Sequence, residues 1–130
     1  MTNQTPRIKI YAHRFLRPDK LIGSIDRESG DVFKRRRGPD QRIGHIDFDA
    51  GKIYRRHFGK DDDIGWVELE SGDIYHQRVG PDHYIGRVTD EGRLYQHVPL
   101  GRDVHVGRVT DAESFVFGAA AYLLFFDQSI

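Results

Sequence analysis

Cysteine is absent from this 130-residue chain, which excludes a disulfide-stapled scaffold, a thiolate zinc site and a cysteine nucleophile. Net charge is also absent because 20 basic and 20 acidic side chains balance. This balance argues against a strongly basic nucleic-acid binder and against an acidic tail. No apolar stretch reaches the roughly 20 residues of a membrane helix, and no signal-like apolar segment follows Met1.

Apolar residues are present in sufficient number for one packed core. Leu, Ile, Val and Phe make up 27% of the chain, above the roughly 20% below which chains usually stay disordered. A chain of this length supplies a single domain and leaves little material for a second. We therefore expect one soluble, cytoplasmic domain over residues 1–130.

The chain repeats itself with a period of 21 residues, and the leading apolar residue of each copy keeps this spacing without drift. The second half of a copy also occurs upstream of the first full copy, so the pattern starts half a repeat early. The units are a half repeat at 8–21, repeats at 22–42, 43–63, 64–84 and 85–105, a partial repeat at 106–117 and an apolar C-terminal segment at 118–130.

Each copy has the pattern of a β-hairpin, with two short stretches rich in β-branched and aromatic residues around an acidic, Gly-containing turn. We expect Gly30, Gly51 and Gly72 to adopt positive φ in these turns. The sequence predicts an all-β fold of tandem antiparallel β-hairpin repeats. An open row of hairpins and a closed ring or flower are both possible. The half repeat favours closure because it can pair with the first strand of the fifth, partial copy. The predicted turns are 28–31, 49–52, 70–73 and 90–93.

The repeat pattern I-G-x-I-D-x-x-x-G-x-I-Y followed by G-P-D covers Ile8 to about Thr110. It resembles bacterial tandem β-hairpin proteins of the kind described as beta-flower proteins and, more loosely, the MORN repeats. The resemblance implies a flower-like arrangement of hairpins. It implies no particular chemistry, since these families bring no known activity with them.

A glycine occupies the second place of each copy, inside the first strand. Glycine weakens a strand unless something bulky comes close to the backbone there. We expect the close neighbour to be the aromatic residue of an adjacent second strand, Tyr11, Phe33, Tyr54, Tyr75 or Tyr95. The glycines are Gly23, Gly44, Gly65, Gly86 and Gly107.

The C-terminal segment departs from the repeat. Residues 115–126 carry no charge, and their alanines and leucines favour a short apolar helix from about Ala119, or from Asp111 if Thr110 and Glu113 form a capping box. Phe115–Phe117 still matches a repeat strand. The segment must be covered, either as a plug inside the ring or at a subunit contact. A ring of five hairpins offers little room, which favours a homodimer through Phe115, Phe117, Tyr122, Leu123, Leu124, Phe125 and Phe126.

The first functional hypothesis is a non-catalytic repeat scaffold that binds a protein partner or self-assembles. The third place of each copy varies, and its residues are presented at fixed repeat positions. Trp66, the only Trp, together with His45 and Arg87, is therefore the candidate binding set. No cofactor is predicted, and a membrane is not an expected partner because 12 apolar residues are too few to cross one.

Two alternatives come from other classes of function. A small-molecule or metal-binding protein or enzyme would use His and Asp on one rim, with His57, His76 and His97 as the metal candidates. No metal-ligand spacing and no catalytic motif supports it. A single-stranded nucleic-acid binder would use Arg35, Arg36 and Arg37, which lie near aromatic residues. Acidic residues close by in sequence make cross-strand ion pairing the simpler explanation for that run.

Overall fold

The structure, a computed structural model, describes residues 7–77, 81, 83–110 and 114–126. Within these residues ten antiparallel strands form a closed barrel that is followed by one short helix. The strands are β1 (Ile8–Ala12), β2 (Lys20–Ile25), β3 (Asp31–Lys34), β4 (Gln41–Asp47), β5 (Lys52–His57), β6 (Lys60–Val67), β7 (Asp73–His76), β8 (His83–Val88), β9 (Arg93–Gln96) and β10 (Val104–Val109). The helix α1 (Phe115–Ala121) continues into a π-helical turn over Tyr122–Phe126.

Closure of the barrel explains why the chain starts half a repeat early. Each strand pairs with its neighbours in the chain, and β1 pairs in addition with β10, with Ile10 opposite Val109. The strand β1 is therefore the second strand of a fifth hairpin whose first strand is β10. This pairing leaves neither terminal strand with an open edge. The prediction of an all-β closed ring of hairpins is confirmed.

The tight turns adopt the expected conformation. Gly30, Gly51 and Gly72 have φ of 78°, 68° and 84°, which confirms the turn assignment. In the first turn, one carboxylate oxygen of Asp26 accepts the backbone N–H groups of Glu28 and Ser29. These hydrogen bonds hold the pKa of Asp26 below its usual value. Asp47 accepts two N–H groups of the next turn in the same way, so these two acids at the ends of first strands stabilise their turns.

The barrel interior is lined by two rings of aliphatic side chains. One ring comes from the fourth place of each copy and the other from the second strands, and their exposed fractions are 0–3%. Each ring has one member per hairpin, so the 21-residue period is a period of core positions. The residues are Ile25, Ile46, Val67, Val88 and Val109 in the first ring and Ile10, Val32, Ile53, Ile74 and Leu94 in the second.

The bulky groups that approach the strand glycines come from the C-terminal segment. A Cβ atom built on Gly65 would lie 2.9 Å from the Leu123 side chain and would also meet the Tyr75 backbone carbonyl. We expected the aromatic ring of the adjacent second strand to be the close neighbour, and this was wrong. Tyr75 approaches Gly65 with its backbone carbonyl, whereas its ring lies on the outer wall. We call the helical segment 115–126 the plug. The pairs of a strand glycine and a plug residue are Gly86 with Tyr122, Gly65 with Leu123, Gly44 with Leu124, Gly23 with Phe125 and Gly107 with Phe126.

Five consecutive residues of the π-helical turn thus reach five successive hairpins around the barrel. A fivefold ring needs one fifth of a turn per residue, whereas an α-helix turns by about 100° per residue. The wider π-helical turn comes closer to the spacing of the hairpins. The barrel repeat and the local geometry of the plug are in this way matched to each other.

The helix begins between the two starting points, Asp111 and Ala119, that the sequence suggests. It starts at Phe115, and the Ser114 side chain caps it by accepting the Val116 N–H. Phe115–Phe117 is therefore helical rather than a strand, because interior packing overrides its β-like pattern. Thr110 does not cap this helix, since its hydroxyl accepts the Lys9 N–H across the β1 and β10 pair. Asp111 and Glu113 lie outside the described residues.

The barrel has room for the helix because the facing residues on both sides are small. Gly118 packs against Val88 with no space for a Cβ atom, and Ala119, Ala120 and Ala121 are fully buried. The expectation that the ring is too narrow for a helix was wrong for this reason. The barrel buries Val116–Leu124, and Phe115, Phe125 and Phe126 pack against its core. An uncovered apolar segment therefore no longer motivates the predicted dimer, whose existence stays a prediction.

Candidate functional site

The two ends of the barrel are formed by different connections. The tight Gly-containing turns within hairpins lie at one end, which we call the turn end. The connections between successive hairpins lie at the other, the loop end. Their described residues are 13–19, 35–40, 58–59, 77, 81 and 97–103.

Charge is strongly segregated between these ends, although the chain as a whole is neutral. In the described residues of the loop end and its adjoining strand ends, twelve Lys and Arg face six Asp. At the turn end the balance is reversed, with five basic and ten acidic residues. The net charge of the chain therefore conceals this segregation, because folding produces a basic end. The ranges counted are 13–20, 34–42, 55–63, 76–77, 81, 83 and 96–105 for the loop end and 7–9, 26–31, 47–52, 68–73 and 89–93 for the turn end.

Several acids of the loop end are held in ion pairs on the outer wall. Asp19 accepts from Arg108 at 2.8 Å, and Asp103 accepts from Arg87 at 3.1 Å. The Arg108 hydrogen bond lowers the pKa of Asp19. Burial raises the pKa of Asp103, but the hydrogen bonds that it accepts outweigh burial and leave it lowered. Asp19, Asp61 and Asp103 lie at the same place of the repeat, and their ion pairs tie three of the loops to strands of the wall.

The predicted binding residues at the third place of the copies lie on this wall. Trp66 is half-buried and stacks on Tyr75 with ring centroids 4.3 Å apart. His45 stacks on Tyr54, and the Arg87 guanidinium lies 4.5 Å from the centre of a Tyr ring. The structure places these three side chains on successive hairpins, each engaged with its cross-strand aromatic residue. They do not converge on one cleft.

The arginine run lies at the loop end beside an open cleft of about 850 Å³. A second depression of about 600 Å³ adjoins it and shares Lys34, Ile43 and Leu124 with it. We call the two together the basic cleft. Its residues are Lys20, Leu21, Ile22, Lys34, Arg35, Arg36, Arg37, Gln41, Arg42, Ile43, Arg55, Arg56, Phe58, Gly59, Leu124 and Phe125.

Cations of the cleft differ in whether they have partners. Arg42 forms ion pairs with Asp31 and Asp61, which raise its pKa. Arg55 donates to the Leu123 carbonyl and so holds the plug. Six exposed cations have no ion pair within the described part of the chain: Lys20, Lys34, Arg35, Arg36, Arg37 and Arg56. Leu124 and Phe125 reach the cleft from the plug, so the helix forms part of its floor.

The histidines do not form a metal site in the described residues, where no group of three His, Asp or Glu residues is arranged to hold a metal ion. His57 lies near Asp62, and His97 lies near Asp103. His76 faces His83 across β7 and β8. The three metal candidates therefore sit on three different hairpins, each with local partners.

Sequence reasoning missed a set of apolar residues at the tips of the loops. Leu16, Phe58 and Leu100 have exposed fractions of 88%, 94% and 110%. They also have φ of 57°, 49° and 60° and are the non-glycine residues with positive φ among those described. The signal was available, since residues 16, 37, 58, 79 and 100 are 21 apart and four of them are apolar. Arg37 is exposed, and Val79 lies outside the described residues.

Comparison with known proteins gives no further guidance: no family model, no curated protein and no solved structure matches the chain. Among the described residues, no helix has the length and apolar character needed to cross a membrane.

Proposed function

We propose that this protein is a non-catalytic scaffold that binds phosphate groups of an anionic partner in the basic cleft. The observation that carries the proposal is the set of six exposed cations without ion pairs that line the basic cleft in the described part of the chain. Adjacent like charges repel one another, so a run such as Arg35–Arg37 gains from an anion that neutralises it. Arginine suits phosphate because its planar guanidinium can donate two parallel hydrogen bonds.

The cleft also has an apolar component that suits more than a free ion. Ile22 and Ile43 pack against the core beside Leu124, and Phe125 is half-buried next to them. A ligand with a phosphate group and an apolar or aromatic part would contact both kinds of surface. This supports binding of a larger amphipathic partner over binding of inorganic phosphate alone.

Titration calorimetry with tripolyphosphate at low and at moderate salt tests the proposal. We expect binding that weakens as salt rises, because exposed charges are screened. The double variant Arg35→Glu with Arg37→Glu should bind at least about tenfold more weakly, since a hydrogen bond to a charged group contributes about 1.5–3 kcal/mol. Both side chains are exposed, so the barrel should remain folded.

A matched control reverses two charges at the opposite end. Lys9→Glu with Arg93→Glu changes exposed residues of the turn end by the same formal charge. At moderate salt this control should leave tripolyphosphate binding within about twofold, because exposed charges further apart than the Debye length of about 10 Å are largely screened. Equal losses in the two double variants, or no binding at low salt, would refute the basic cleft as the site.

Single-stranded nucleic acid is the second candidate, because exposed Phe58 adjoins the cations and offers a ring for base stacking. An oligothymidine that binds more tightly than tripolyphosphate, and loses this advantage in Phe58→Ala, would favour it. Self-association as a dimer is a separate proposal, tested by sedimentation of the intact chain over a range of concentrations.

A further inference from the structure

We infer that the loop end docks on an anionic lipid surface, with the apolar loop tips inserted among the headgroups and the cations of the basic cleft on the lipid phosphates. The inference rests on the proposed phosphate-binding function and names the partner. It departs from the sequence-based expectation of no membrane partner, which considered only segments long enough to cross.

The arrangement of the tips favours a flat partner. Leu16, Phe58 and Leu100 occupy the same register position in three copies of the repeat. Equivalent positions of a closed ring of repeats lie at the same height along its axis, so the three tips can meet one plane together. Phe15, with an exposed fraction of 84%, adds a second apolar side chain to the first of these loops.

The local conformation projects these side chains into solvent. Each tip residue has positive φ, a conformation that disfavours leucine and phenylalanine and that glycine adopts freely. Large apolar residues thus occupy positions where glycine would suit the backbone better, and neither the barrel nor the plug covers them.

The charge around the tips complements an anionic surface. Arg14, Arg17, Lys20 and Lys60 lie in or beside the loops that carry Leu16 and Phe58, and Arg102 follows Leu100. Basic residues near a membrane surface are attracted to anionic headgroups, and a second, apolar contact makes such binding stable. The loop end combines both kinds of contact.

A nucleic-acid strand matches the tips less well. Base stacking needs aromatic rings or guanidinium planes along a groove, whereas Leu16 and Leu100 are aliphatic and lie on loops other than that of Phe58. The turn end provides an internal contrast: it carries an excess of acidic residues, and its exposed apolar side chains are Phe48 and Leu69 at 36% and 46%.

Co-sedimentation of the full chain with vesicles tests the inference. We expect binding to vesicles of phosphatidylcholine with phosphatidylserine and little binding to phosphatidylcholine alone. The triple variant Leu16→Ser, Phe58→Ser and Leu100→Ser should lower the partition coefficient at least about tenfold, because each tip buries an apolar side chain on insertion. The matched control, Phe48→Ser with Leu69→Ser at the turn end, should retain vesicle binding.

The outcomes separate this inference from the proposed function. If tripolyphosphate binds to the basic cleft but vesicles do not, or if the triple variant binds vesicles as well as the unchanged protein, lipid docking is overturned and phosphate binding stands. If neither ligand binds, both fail. If oligothymidine binding depends on all three tips while vesicles are ignored, the partner is a nucleic acid and lipid docking is wrong.

Insertion can be observed directly by fluorescence. In a Trp66→Phe background, Phe58→Trp places the sole Trp at a loop tip, and Phe48→Trp places it at the turn end. Anionic vesicles with brominated acyl chains should quench the first Trp and leave the second unchanged. Equal quenching of both, or of neither while the protein sediments with vesicles, would overturn insertion of the tips.

Discussion

The turn end and the loop end are built from the same 21-residue repeat, yet they have opposite characters. At the turn end, glycines occupy the positive-φ positions, and Asp26 and Asp47 accept the backbone N–H groups of their own turns. At the loop end, Leu16, Phe58 and Leu100 occupy positive-φ positions, and several cations lack ion pairs in the described part of the chain. The turn end therefore serves folding, and the loop end keeps features that do not stabilise the fold.

The plug reinforces this contrast. The helix α1 contacts β4, β5, β6, β8 and β10 inside the barrel, and Phe115 lies against Gly72 at the turn end. Leu124 and Phe125, at its far end, reach the floor of the basic cleft. One end of the barrel is thus filled by the chain itself, whereas the other keeps an open cleft.

Removal of residues 114–130 should have the largest effect, because it empties the filled end. We expect an unfolded or aggregating protein, since the segment supplies Val116, Leu123 and other fully or nearly buried side chains. Circular dichroism and size-exclusion chromatography measure the outcome. A folded β-protein of smaller assembly size would instead mean that the segment serves self-association and that the barrel stands without it.

A pair of glycine substitutions compares the ends directly. Gly72→Ala should destabilise the protein by about 3 kcal/mol, because the new Cβ meets the Val88 carbonyl in addition to the strain of positive φ. Gly38→Ala, with similar φ but no atom within 4 Å of the new Cβ, should cost only about 1 kcal/mol. Urea unfolding provides both values, and equal losses would contradict the difference between the ends.

Relief of strain at a loop tip should have a smaller effect of opposite sign. Phe58→Gly should be more stable than Phe58→Ala by about 0.5–1 kcal/mol, because alanine keeps the unfavourable positive φ and glycine does not. In the interior of a helix the order is the reverse, because alanine is there more stable than glycine. If urea unfolding finds the alanine variant more stable, the tip is not strained and does not differ from an ordinary loop.

The smallest expected effect concerns pH. Burial and the neighbouring His13 lower the pKa of His105 below its ordinary value of 6.5, so the unfolded chain takes up a proton there first and stability falls as pH drops below about 6.5. The pKa of Asp26 at the turn end is also lowered, and the stability that this carboxylate contributes is lost only as pH falls below about 3.8. Between pH 7 and 5, His105→Gln should therefore lose less stability than the unchanged protein, and Asp26→Asn should show no such difference.

Parts of the site could be read from the sequence and parts could not. The arginine run at 35–37 was identified, and the structure places it beside an open cleft. The loop-tip residues were not predicted although they are spaced by multiples of 21, because they lie in connections outside the strand pattern and one equivalent place carries Arg37. The floor of the cleft could not be predicted, since Leu124 lies 90 positions from Lys34 along the chain.

The sequence by itself determined the hairpins and their turns, and its early half repeat favoured the closed ring over an open row. Strand patterns, turn glycines and an early half repeat are local or periodic features, and each carries its own conformational preference. Only the tertiary structure decided where the C-terminal segment goes and how charge is distributed. Whether a helix fits depends on five glycines and a run of small residues meeting inside a closed barrel. The separation of basic from acidic residues likewise emerges only when alternate connections gather at opposite ends, because composition counts charges without their positions.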